Sequence, residues 1–143
     1  MTMVELVLAV AITGIIVAFL GTAVYQIITV SRYGSDRLIA RHELQNAAYW
    51  LNRDGQGATA ASAGSGLLLT LSDNTSVTYA LVGTELRRTA GSAQTVMARN
   101  ISSAGFATGS RVITMSLTSS PQGRDNVSEN GTYRVYRRPE AGG

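Results

Sequence analysis

The strongest constraint on this chain is a run without charge: from Leu6 to Ser31, 26 consecutive residues carry no formal charge. Leu, Ile, Val and Ala dominate the run and recur on every helical face, not along one stripe. At about 1.5 Å per residue such a helix runs roughly 39 Å, enough to cross a ~30 Å hydrocarbon core with some tilt. A helix apolar all round must be buried in lipid or among other helices. No arginine or lysine precedes the run, while Arg32, Arg37 and Arg41 follow it. A cleaved secretory signal would have a basic start and a shorter apolar stretch of about 7–15 residues. Residues 1–31 are therefore expected to form a membrane or filament-core helix, and a plain single-pass anchor carrying a binding domain is the simplest version of that expectation.

Glu5 is what a plain anchor does not explain. A carboxylate at the head of an apolar span is costly unless it is paired or protonated, so it is by default a functional residue. One assignment is a capping carboxylate at the helix N-terminus; the other is a countercharge for an amine, its own or a neighbour's. The opening Met1-Thr2-Met3-Val4-Glu5-Leu6-Val7-Leu8-Ala9-Val10-Ala11-Ile12 resembles the mature N-terminus of bacterial type IV pilins and pseudopilins. Members of that family begin with an apolar residue, usually Phe where this chain has Met1, followed by Thr, an apolar pair and Glu.

The resemblance implies that a prepilin peptidase generates and methylates the Met1 amine. It also implies that Glu5 pairs with the Met1 amine of an adjacent subunit, with the Thr2 hydroxyl nearby. Its partners would be copies of itself in a helical filament, the pilus assembly machinery, and the cytoplasmic membrane before assembly, with the N-terminus inside. After assembly the subunit would lie in an extracellular filament or a periplasmic pseudopilus. Gly14 and Gly21 interrupt the run. Each weakens a helix by about 1 kcal/mol relative to Ala, and each lets a neighbouring helix approach closely. Family members often carry proline where this chain has Thr22, and their helix unwinds nearby. Local loosening and close packing are thus both open for Gly14 and Gly21.

Beyond the run the helical pattern turns amphipathic. Leu38, Arg41, Leu44, Ala48 and Leu51 recur at three- and four-residue steps with Ala47 beside them. Arg37, Glu43, Asn46 and Arg53 are left to face outward, and Tyr49 and Trp50 suit either core or surface. Asp54-Gly55 and Gly57 stop the helix near residue 54. Residues 55–66, rich in Ala, Ser and Gly, read as a flexible linker. Strand patterns follow at 67–71, 76–82, 85–88, 95–101, 111–118 and 132–138, with a hairpin at Asp73-Asn74. Helix first and strands after predicts an α+β fold, a long N-terminal helix packed on a small antiparallel sheet of about four to six strands. The globular domain is expected over 32–143, with the amphipathic half-helix at 32–54 and the sheet at 67–143. Its order from Glu43 to Asp54, through Val77-Thr78-Tyr79-Ala80-Leu81 and Leu86-Arg87-Arg88, to Met97-Ala98-Arg99-Asn100-Ile101 is similar to that of J-type minor pseudopilins of type II secretion.

Catalytic chemistry has little to work with. The chain has no cysteine and one histidine, His42, and its carboxylates are scattered. No disulfide can close the C-terminal loop as two cysteines do in many pilins. The expectation is a protein that is not an enzyme and needs no cofactor. The Gly123–Gly131 loop gathers Asp125, Asn126 and Glu129 as oxygen ligands for calcium, without the EF-hand spacing; a solvated turn is the simpler assignment. Asn74, Asn100, Asn126 and Asn130 head Asn-X-Ser/Thr sequons. All twelve basic residues are arginine and the net charge is +3. Arg87-Arg88 and Arg137-Arg138, near Tyr133 and Tyr136, are candidates for nucleic-acid phosphates or, more simply, solvated strand ends.

Overall fold

The computed structural model describes residues 2–121 and 127–139. The helix α1 spans Met3–Gly57 and is followed by eight strands: β1 (Ala58–Ala63), β2 (Leu67–Leu71), β3 (Ser76–Val82), β4 (Glu85–Ala90), β5 (Ala93–Ala98), β6 (Ile101–Thr108), β7 (Val112–Ser119) and β8 (Glu129–Tyr136). The fold is α+β, with every strand pair antiparallel. The chain divides into two units, Met1–Ser35 and Asp36–Gly143, and α1 contributes to both.

In the first unit the helix is unbroken and exposed on every face, with Leu6, Phe19 and Val30 at 53%, 73% and 72% exposure. It is long and apolar enough to cross a membrane. Thr13, Thr22 and Thr29 turn their hydroxyls inward, donating to the carbonyls of Ala9, Ala18 and Tyr25 at 2.7, 3.0 and 3.0 Å. These bonds meet the polar demand of each side chain within the helix itself, as a span without water requires.

In the second unit, β1 to β5 form one sheet in sequence order and β6-β7-β8 form another. One core unites Leu44, Ala47 and Leu51 of α1 with Leu67, Leu69, Val77, Tyr79, Leu86 and Met97 of the first sheet and Ile101, Ile113, Met115, Leu117 and Val135 of the second. Arg137 joins the two sheets, donating to the carbonyls of Thr59 at 2.7 Å and of Ser110.

Several boundaries differ from the sequence reading. The helix continues past Asp54 to Gly57, because Asp54 and Gly55 are buried against strands and do not end it in solvent. Residues 58–63, expected to be linker, are β1, whose register Ala61↔Leu69 and Ala63↔Leu67 covers the edge of β2. The strand expected over 95–101 is two, broken where Asn100 adopts φ 57°. The buried stripe of α1 is Ala40, Leu44, Ala47, Leu51, Asp54 and Gly55. Leu38, placed in that stripe by its spacing from Arg41 and Leu44, is 68% exposed. The β2–β3 hairpin is as expected: Asn74 turns at φ 62° and the Asp73 carboxylate accepts the Thr75 N–H at 2.9 Å.

Candidate functional site

Thr2 and Glu5 build the head of α1. The Thr2 N–H donates to Glu5 Oε2 at 2.8 Å, the Thr2 hydroxyl reaches the same oxygen at 3.2 Å, and the Glu5 N–H donates to Thr2 Oγ1 at 3.3 Å. This is a reciprocal capping box: each side chain satisfies the other's backbone donor, of which a helix start leaves four without partners. Among the described residues every hydrogen bond to the carboxylate falls on Oε2. Capping satisfies donors but adds no countercharge, and among the described residues no cation pairs with Glu5 at the head of the uncharged run. Met1, expected to supply the partner amine, lies outside the described residues.

Gly14 and Gly21 both sit in helix that is continuous in the single chain. A Cβ added at either would meet nothing within 4 Å.

A second polar constellation, not foreseen from sequence, fastens the other end of α1. The Asp54 carboxylate, 5% exposed, accepts from Arg88 Nε at 2.6 Å and Nη2 at 3.0 Å, and from the Tyr79 hydroxyl at 2.5 Å. Tyr79 and Arg88 are direct cross-strand partners on β3 and β4, which brings both to one face of the sheet. Burial first, then the Asp54 hydrogen bond and charge, push the Tyr79 phenol far above its usual value. The hydrogen bond that Arg88 donates to Asp54 likewise raises its guanidinium. Trp50 lies beside the cluster, its ring 5.2 Å from the Arg88 guanidinium carbon and 5.1 Å from that of Arg53. Tyr49 meets Trp50 edge-on at 6.0 Å and is itself exposed. The sequence signal lay in Asp54 on the period of Leu44, Ala47 and Leu51, where a charge on a buried stripe demands a partner.

The remaining expected residues are spread over the second unit. Glu43 and Asn46 do not simply face solvent. Glu43 accepts the Arg99 N–H at 2.7 Å and Asn46 donates to the Met97 carbonyl at 2.7 Å, so both cover the open edge of β5. Of the paired arginines, Arg87 pairs with Glu85 at 2.9 Å, Arg88 and Arg137 are engaged as above, and Arg138 is exposed. Glu129 of the supposed calcium loop pairs with Arg37 and lies 3.8 Å from Arg41; Asp125 and Asn126 lie outside the described residues. Comparison with protein-family models, curated proteins and solved structures finds no match to this chain.

Proposed function

We propose that the chain is a structural, non-enzymatic subunit of a type IV pilus-like filament, held in the membrane by the first half of α1 before assembly and polymerised through it. One observation carries this reading: Glu5, capped by Thr2 but without a countercharge among the described residues, heads a helix apolar and exposed on every face. A solitary anchor gains from Glu5 only the capping of its first turn, while a charge there opposes burial at that end of the span. In a bundle of parallel copies the same carboxylate meets the positive group at the head of a neighbour's helix. A matched pair costs far less to bury than a lone ion and fixes the register of the copies. Leaving lipid for such a bundle exchanges one apolar surrounding for another, so the run stays out of water throughout.

On this reading the N-terminus lies on the cytoplasmic side before assembly and the second unit on the far side. The processing peptidase and assembly machinery are the partners the reading requires. Filaments sheared from the native cells should contain this chain, identified by mass spectrometry, and electron microscopy should show filaments that disappear when its gene is deleted. Cells whose filaments lack the chain, and are unchanged by the deletion, would favour a single-pass anchor bearing a binding domain.

A further inference from the structure

The part of α1 in the second unit is held to the strands by two unlike fastenings. At its C-terminal end Asp54 and Arg88 form a bidentate, largely dry pair, with side chains 5% and 16% exposed. At its N-terminal end Arg37 and Arg41 share Glu129, and here the arginines are 48% and 54% exposed and the carboxylate 20%. Between them, Ala40 is the first buried residue of the helix and contributes one methyl group, whereas Leu44, Ala47 and Leu51 belong to the core. The Glu43 and Asn46 bonds to Arg99 and Met97 mark where firm attachment begins.

We infer that Arg37, Arg41 and Glu129 form a salt-sensitive clasp, and that the helix segment from Asp36 to His42 undocks from β8 while Glu43 to Gly57 stays seated. Exposed ion pairs are screened by salt and dry ones hardly at all. The segment above Glu43 has little apolar burial to hold it once the clasp is screened. Local opening starts where buried contacts are fewest. The device sets where the helix first yields when ionic strength rises, whichever larger assembly the chain enters.

The absence of cysteine makes the test clean. In the full-length protein, Ala40→Cys and Ala47→Cys each place one thiol at a position that is 0% exposed when docked. Maleimide labelling is followed as salt rises from about 0.05 M to about 0.5 M, where the Debye length falls several-fold. The thiol at position 40 should label about two- to tenfold faster at high salt, the range that two exposed ion pairs supply, and Glu129→Gln should reproduce that rate at low salt. The thiol at position 47 should stay slow throughout. Equal, salt-independent rates at the two positions would overturn the inference, as would acceleration at both together, which means that the whole helix detaches. The salt series on Ala40→Cys alone decides the matter if Glu129→Gln disturbs folding.

Discussion

Replacing Asp54 by Asn keeps the size of the side chain but removes the charge that holds Arg88. The guanidinium is then left mostly buried and unmatched, and the second unit should lose about 3–5 kcal/mol, read from the denaturant midpoint of the full-length protein in detergent. Asp54→Leu combined with Arg88→Met should recover most of that loss, because the two desolvation costs vanish together. Tyr79 adds a pH dependence whose direction follows from its raised phenol. The unfolded phenol ionises near pH ~10, whereas the folded one keeps its proton. The stabilisation is complete below that pH and falls above it by about 1.4 kcal/mol per pH unit. Tyr79→Phe should remove this one-proton slope from an alkaline unfolding series. An unchanged slope would mean that another group titrates there. Ser119 offers the opposite case: its hydroxyl is fully buried on β7 with no hydrogen-bond partner among the described residues. Ser119→Ala should raise stability by about 1 kcal/mol, since it removes a polar group that folding desolvates without return.

Among the elements, the strands with leucine, valine or tyrosine at alternate positions were the legible ones: β2 and β3 begin and end where the pattern placed them. β1 was not legible, because Ala-Thr-Ala-Ala-Ser-Ala has neither bulk nor β-branched alternation, and it becomes a strand only by pairing with β2. The docked stripe of α1 was legible in part: the three- and four-residue steps found Leu44, Ala47 and Leu51, but they also took in Leu38, which faces outward, and passed over Ala40, which faces inward. Small side chains there allow the helix close to the strands, and Gly55 shows how close: a Cβ added to it would lie 2.8 Å from Val135 Cγ1. Gly55→Ala should therefore cost about 1–3 kcal/mol through displacement of β8. Gly14→Ala and Gly21→Ala meet no such obstacle within the chain, and each should favour the helix by up to about 1 kcal/mol. A loss of assembly in either variant, with membrane levels unchanged, would identify that glycine as a point of close approach between copies. Glu5 as a capping carboxylate was among the sequence readings, though its reciprocal bonds with Thr2 were not; the Asp54 cluster was not legible, because its three members lie 25 and 34 residues apart along the chain.

At the scale of the whole molecule, a folded second unit is joined through α1 to a helix that exposes apolar side chains over its entire surface. Such a helix needs a surrounding, and on the reading proposed above Glu5 at its head is what tells lipid alone from a bundle of copies. The most direct measurement is the amount of sheared extracellular protein from cells expressing Glu5→Ala and wild type at equal membrane levels. Insertion should survive, because losing a charge makes the span more apolar. Incorporation should fail, because the neighbour's positive group is then buried without its carboxylate, a penalty of about 3–5 kcal/mol. Glu5→Gln should fare nearly as badly, since the amide restores shape and polarity but not charge. The account predicts little or no filament from either variant; a wild-type yield from Glu5→Ala would contradict it and leave the helix as a plain membrane anchor.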